Sequence, residues 1–487
     1  MAKAQVNSTS AAYQVMEPRL AKVNALLGGT ETMRDAGEVY LPRYARETER
    51  NWRTRLTRAT LYNYFKRCVD SLSSKPFSAP VRLKDFDPKL EEITEDIDRM
   101  GTDFTVFCAD LFKSALARGL AFVYVDYPTS DTVPQTFAEE KALGFQPFFR
   151  VISPENLIFA RTEVIEGKEV LTQIRVKIDE LVPDGPFGER ISQRVEIITP
   201  DSIEVQELQN KRWVTTSTRP NTLGEIPLVV YYADKEDFFV SRLPLGDLAD
   251  KNIEHWQSSS DQRNALTVAR FPMLAGKGLT RKEMDEIVLA PNQSLSTENP
   301  AGEFYYLEHR GIALAAGRQD MDTIKAEMAE LVMDLLSKTT SRASATEWNL
   351  SSREATSTLE MMVIRFADFL KSAFVFAAKW MDLPENAVGT VDIDTTFVDD
   401  SNQKDIDALI AARNSGDLTR EEYLAELQRR GILGKDFVIV ERQPLPVEPL
   451  LSGSTVTDAP VSKPGDAISI SEPPLAPDSR KITDTPA

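Results

Sequence analysis

Histidine and cysteine are nearly missing from this sequence, and with them most metal and nucleophile chemistry. His255 and His309 are the only histidines in 487 residues, too few for a histidine-rich zinc site and a thin supply for a histidine general base. Cys68 and Cys108 stand 40 positions apart. Two lone thiols build no disulfide framework and fit a reducing compartment. A glycine-rich phosphate cradle is missing too. The dipeptides Gly276–Lys277 and Gly434–Lys435 have Phe271 and Arg429 where the leading glycine of a nucleotide-binding loop belongs. There is no Gly-x-Ser-x-Gly nucleophile elbow. The run "DIDTTFVDDSNQ" has Phe397 in place of the sharp-turn glycine of a calcium loop and Gln403 in place of its bidentate glutamate. Carboxylate neighbours such as Asp399 and Asp400 are plentiful among 75 acidic residues, and none stands out as a general acid–base pair. No cofactor and no metal is expected, and the chain does not read as an enzyme. So long a chain without catalytic equipment points to a structural or mechanical role.

Long apolar runs are also lacking. Met1–Leu20 has no secretory core. The best membrane candidate, 361–381, is interrupted by Arg365, Asp368, Lys371 and Lys379, so no membrane partner is expected. Positive charge is in deficit: the net charge is −18. That argues against a sequence-independent DNA binder, which needs a basic surface to release counterions, but not against a protein that lets DNA pass. The balance is uneven. Residues 1–83 carry 14 basic and 7 acidic side chains, a net +7 that leaves −25 for the rest. Much of the excess lies in "ETERNWRTRLTRATLYNYFKR", which reads as a contact for nucleic acid, as a contact for an acidic neighbouring subunit, or as a solvated helix face.

What is present reads as an α+β chain. Residues 1–30 are mobile or hold a short helix at Ala11–Leu27. Leu56, Leu61, Phe65, Val69 and Leu72 fall near one stripe of a helix over 47–72. Pro88–Arg99 forms a second helix on Leu90, Ile93 and Ile97, and Thr102 or Asp103 caps a third that buries Phe104, Phe107 and Leu111. The period then changes to two. "LAFVYVDYP", "QPFFRVISP", "LTQIRVKID", "QRVEIITP", "SIEVQEL" and "IPLVVYYA" read as strands, closely spaced enough for a mainly antiparallel sheet.

A helix from Gly246 to about Ala269 follows, with a polar middle, "NIEHWQSSSDQRNA", that suits packing against other copies better than a compact core. Strands at "FPMLAGKG" and "GEFYYLEH" flank a short helix at "TRKEMDEIVLA". Met321, Ile324, Met328, Leu331 and Leu335 make a narrow seam on the next helix. "SKTTSRASATEWNLSSREATS" (337–357) interrupts with ten serines and threonines in 21 positions. A helix of up to 29 residues over 353–381 comes next, apolar on most sides, then a return strand in "VDIDTTFVDD". A helical hairpin spans 401–433, with Ser401 or Asn402 and Thr419 as caps. From Arg442 onward nine of the last 45 residues are proline, the composition of a disordered tail.

"RLPLGDLADKNIEHWQSSSDQRNAL", then "FPMLAGKG", "FYYLEHRGIAL" and "MAELVMDLLS…SATE" resemble, in order and spacing, the tailed-bacteriophage portal proteins or head-to-tail connectors, and in particular a portal-like branch known only as a domain of unknown function. The stretch "YLPRYARETERNWRTRLTRATLYNYFKRCVDSLSSKPF" resembles the opening of the same branch, and the likeness covers 40–442. It implies a portal fold: an N-terminal arm (1–39), a wing of helices and mainly antiparallel sheet (40–240), a first stem helix (241–270), a small α/β clip (271–312), a second stem helix (313–336), a channel loop (337–352), a long central wing helix with its return strand (353–399), a helical crown (400–442) and a disordered tail (443–487).

The resemblance also implies partners: a closed homo-oligomeric ring of about twelve copies, double-stranded DNA passing through it, the terminase large subunit, a head–tail adaptor and the major capsid protein. The setting would be the portal vertex of a virion capsid, assembled in the host cytoplasm. Carried over by position, Lys338, Thr339, Thr340, Ser341, Arg342, Ser344, Thr346 and Arg353 belong to the channel loop. Asn252, Trp256, Asp261, Arg263, Met321, Met328 and Leu335 belong to the stem and its interface between copies. Lys277, Arg281, Lys282, Tyr305 and Tyr306 belong to the clip that docks motor and adaptor. On this reading the hydroxyl-rich loop has a reason: serine and threonine touch a moving polyanion through weak, exchangeable hydrogen bonds, whereas many arginines and lysines would grip it. The acidic remainder would keep the passage slippery. The alternatives are a capsid or tail component without DNA contact, or a DNA-processing enzyme built on clustered carboxylates.

Overall fold

The computed structural model describes residues 5–128, 145–270, 273–285, 287, 296–297, 299–307, 312–336, 357–395, 409, 412–413, 415 and 419–429. Two units are distinguished, Met1–Asp407 and Ala408–Ala487.

In the first unit the chain opens with α1 (Ala11–Asp35), whose N-terminus is closed by the Ser10 hydroxyl and which kinks where Gly29 takes φ 82°. The helical reading of the N-terminus holds and extends to Asp35, because Met16, Leu20, Val23, Leu26 and Met33 are all buried. The helix expected over 47–72 is two: α2 (Glu49–Arg58) and α3 (Tyr64–Ser74). Ala59 turns to extended backbone, the Leu61 amide donates to the Thr30 hydroxyl, and Asn63 caps α3 by accepting from the Lys66 amide. Local polar side chains outcompete the helix there. β1 (Arg82–Lys84) is followed by α4 (Pro88–Glu92), which tightens into a 3-10 turn over Ile93–Asp96 while Leu90, Ile93 and Ile97 stay fully buried. Asp103 caps α5 (Phe104–Arg118). Gly119 ends α5 at φ 76°, with Arg242 O 2.5 Å from where a Cβ would stand, so only glycine fits.

The strands follow: β2 (Leu120–Asp126), β3 (Phe148–Ile152), β4 (Leu157–Ile165), β5 (Lys168–Asp184), β6 (Gly188–Ile198), β7 (Ser202–Gln209), β8 (Arg212–Pro220), β9 (Leu228–Tyr232), and the short β10 (Lys235–Asp237) and β11 (Val240–Ser241). They form a three-stranded sheet, β3-β2-β9, a five-stranded sheet, β4-β5-β6-β7-β8, and the β10–β11 pair, every pairing antiparallel. The central strand β2 is buried at all seven positions. Its alternation divides them: Ala121, Val123 and Val125 enter the helical core, while Leu120, Phe122 and Tyr124 enter a second core with α1 and the larger sheet.

Next come α6 (Gly246–Arg270), β12 (Met273–Lys277), α7 (Arg281–Asp285), β13 (Glu303–Leu307), α8 (Ile312–Leu336), α9 (Thr358–Trp380) and β14 (Thr390–Asp392). β14 pairs antiparallel with β1, closing the body. The central helix α9 starts later than position 353, at a capping box: the Glu360 amide donates to the Ser357 hydroxyl at 3.1 Å, and the Ser357 amide donates to the Glu360 carboxylate at 2.8 Å. Phe366 and Phe374 on α9 are fully buried; Phe374 meets Phe86, Phe104 and Phe149 at ring distances of 5.1–5.8 Å, and Phe366 meets Phe112 at 5.1 Å. In the second unit, α10 (Arg420–Arg429) opens at Thr419, whose amide donates to Glu422 and whose hydroxyl accepts from the Glu422 amide, as its sequence promised. Ser401, Asn402 and the tail 443–487 lie outside the described residues.

Candidate assembly surfaces

α6 and α8 carry 25 residues each, about 37 Å at 1.5 Å per residue. Two contacts fix them side by side and antiparallel: Lys251 Nζ to Glu327 Oε2 at 2.8 Å, and Gln262 Nε2 donating to Leu314 O at 2.8 Å. Gly317 makes room for the second, since a Cβ there would fall 2.3 Å from Gln262 Oε1. The base of this pair is anchored in the body. Asn252 Nδ2 donates to Tyr62 O at 3.0 Å, and Asn252 Oδ1 accepts from the Phe65 amide at 2.8 Å, satisfying an amide in the first turn of α3. Trp256, Ile324 and Met328 belong to the helical core.

The inner part of the polar stretch of α6 is therefore occupied within the chain's own fold. Asn252, Trp256 and Met328, expected at a face between copies, are buried inside it. Leu335 is partly buried against the same core, and Met321 is half-buried. Asp261 and Arg263 are exposed. Burial leaves His255 Nδ1 and Nε2, Trp256 Nε1 and Ser260 Oγ without hydrogen-bond partners among the described residues.

Beyond Ser260 the pair becomes an arm. Among the described residues no side chain from Asp261 to Thr323 is buried. Its tip is the β12–β13 hairpin, in register Lys277↔Glu303 to Met273↔Leu307 and paired with no other strand among the described residues. Tyr305 and Tyr306 are exposed on it, Lys277 reaches Glu303 at 3.7 Å, and Arg281 and Lys282 are exposed on α7. The channel-loop residues Lys338, Thr339, Thr340, Ser341, Arg342, Ser344, Thr346 and Arg353 lie outside the described residues.

The arginine-rich stretch of the N-terminal region, flagged by charge alone, resolves into a cleft of about 470 Å³ between α2 and the outer half of α6. Arg55 forms its floor. The Arg55 guanidinium is paired with Glu47 at 2.8 Å and Asp261 at 3.3 Å, donates to Pro42 O at 2.8 Å and stacks 4.5 Å from the Tyr44 ring centre. The hydrogen bond from Arg55 holds the Glu47 carboxyl below its ordinary range. Burial, then the hydrogen bond to Asp261, pushes the Tyr44 phenol up to about 12. Arg46, Arg58 and Arg263 line the mouth, exposed and without an ion pair among the described residues, beside Asn51, Thr54, Asn264 and Thr267. Four arginines in the ten residues of α2 were the visible signal; which of them is buried was not.

A second exposed feature is the ribbon of β5 and β6. Leu181 faces Ile191 across it, both exposed, and Phe187 stands fully in solvent at its turn. Among the described residues no group of three or more His, Cys, Asp or Glu side chains could hold a metal ion, and no helix is long and apolar enough to cross a membrane.

Comparison with known proteins adds one sequence match. The family model described as "Domain of unknown function (DUF4055)" matches residues 244–381, the run from Pro244 to the residue after α9. No curated protein matches the chain. Similar solved structures include the virion of a native gene transfer agent particle, 12% identical, covering 75% of this chain and 88% of that chain with a TM-score of 0.36. The neck of an empty gene transfer agent particle computed with C6 symmetry gives 12%, 75%, 88% and 0.37. The neck of a native particle computed with C12 symmetry gives 12%, 74%, 88% and 0.36. Scores this low support no conclusion about fold or role.

Proposed function

We propose that this chain is a portal protein: a non-enzymatic subunit of a ring at one capsid vertex, through which double-stranded DNA enters during packaging and leaves at ejection. On this reading α6 and α8 are the stem, the β12–β13 hairpin with α7 is the clip that docks terminase and head–tail adaptor, α9 is the central wing helix, and 337–352 is the channel loop. The observation that carries the reading is the arm. Two antiparallel helices leave the body, bury nothing of their own beyond Ser260 among the described residues, and end in a two-stranded hairpin. An isolated two-stranded hairpin is marginal in water, so such a tip calls for neighbours. The arm leads directly into the Ser/Thr-rich segment and then into the central helix α9, ten of whose residues are buried. The family match spans this helix–hairpin–helix–helix run and assigns it no activity.

The channel loop is tested by charge. Changing Ser341, Ser344 and Thr346 to lysine should leave assembly intact and slow genome packaging several-fold, measured as packaged DNA per particle, because each added lysine binds phosphate. Normal packaging by the assembled triple variant would contradict a channel-facing loop. Cleavage of DNA by the purified protein, abolished by one Asp→Ala change, would overturn the non-enzymatic assignment.

A further inference from the structure

The two sides of the arm's base carry opposite charge. α2 has four arginines against one glutamate, and α8 has five carboxylates against two cations. α6 lies between them. Lys251 and Gln262, which contact α8, fall on one side of α6. Arg263, Asn264 and Thr267, which line the cleft under α2, fall on the other, at about 100° per residue. The outward side of α8 is equally defined. Ile324 and Met328 face the body, whereas Asp322, Ala326, Ala329 and Glu330 are exposed on the far side. Asp322 has only the neighbouring Lys325, at 3.3 Å, and Glu330 has no ion pair among the described residues. The alanines let another backbone come close. A basic cleft and an acidic helix face, pointing opposite ways on one layer, make a head-to-tail contact that repeats, and such contacts close into rings when the rotation permits.

We propose that the cleft between α2 and α6 receives the outward carboxylates of α8 from a second copy of this chain, with Arg58 and Arg263 pairing with Asp322 and Glu330. This rests on the ring reading above and names a seam within it. Arg55 on the floor is already matched by Glu47 and Asp261, so the charge the cleft offers is that of Arg46, Arg58 and Arg263 at its mouth. A guanidinium takes a carboxylate through two parallel hydrogen bonds.

The test is native mass of the full chain at low salt for four proteins: wild type, Arg58→Glu/Arg263→Glu, Asp322→Arg/Glu330→Arg, and the quadruple variant. All four altered side chains are exposed, and an unchanged far-ultraviolet circular dichroism spectrum will verify folding. The proposal expects each double variant to lose at least about tenfold in assembled fraction, and the quadruple variant to recover it. An equimolar mixture of the two double variants should also assemble, because each then offers the other a complementary face. A ring in wild type that both double variants form equally well would overturn the seam and leave the portal reading standing. So would a cleft variant that still assembles but loses retention of a DNA duplex, which would assign the cleft to nucleic acid. A wild-type chain that stays monomeric at every concentration would overturn both.

Discussion

The Arg55 guanidinium is 3% exposed and the Glu47 carboxylate 7%, 2.8 Å apart. Removing one partner of such a pair strands a buried charge, whereas replacing both with apolar groups often costs little. Arg55→Ala should therefore lower unfolding free energy by about 3–5 kcal/mol in guanidinium titrations, while Arg55→Met with Glu47→Leu should recover most of that loss. Full destabilisation in the double variant would mean that the contacts of Arg55 to Asp261 and Pro42 matter more than its pairing with Glu47. His255 makes a second residue-level case. Burial, then the nearby Lys325, holds its imidazole below the ordinary histidine value, and the Tyr62 ring lies 5.5 Å away. The unfolded chain therefore takes the proton more readily. Stability is full above the unfolded value of about 6.5 and falls as pH drops from there toward the lowered folded value. The thermal midpoint of the wild type should drop more between about pH 7.5 and about pH 5.5 than that of His255→Gln. Equal drops would place the sensitivity in other groups. Neither burial was legible beforehand: a histidine or arginine in a polar helix looks solvated until its partners, Tyr62 and Lys325 for His255 or Glu47 and Asp261 for Arg55, are known to pack there.

At the scale of elements the sequence was informative where packing imposes a period and silent where it does not. The six strands read from alternation all fall on observed strands, whereas β4 and β8 did not announce themselves. They are the two edges of the five-stranded sheet, and β8 is exposed at seven of its nine positions. β8 buries neither face and has no alternation to display, and β4 buries only the adjacent pair Leu157 and Ile158 at its start. At Asn252 the polar middle of α6 misled for the opposite reason. Asn252 is polar because it serves backbone groups of Tyr62 and Phe65 inside the fold, not because it meets a neighbour. Asn252→Ala should cost about 1–3 kcal/mol, with a midpoint difference from wild type that is the same at every protein concentration. A residue at a seam between copies would instead make that difference move with concentration. The start of α9 at Ser357 was readable as Ser-x-x-Glu, yet the serines around it concealed which one caps.

For the whole molecule, the body is self-sufficient and the arm is not. Two cores meet on either side of β2, and α9 fills one of them. From Asp261 to Thr323 the described chain contributes nothing to either. Helix lengths, the intervening hairpin and the charge imbalance were all visible in the sequence. The cleft under α2 was not, because it joins residues 46–58 to residues 260–267 across two hundred positions of chain. The account stands on repetition about an axis, and imaging the purified full-length protein end-on by electron microscopy tests that directly. It predicts closed rings with one copy number and an axial opening wide enough for a DNA duplex, the arms of successive copies side by side. Compact single particles, or assemblies without a central opening, would contradict it.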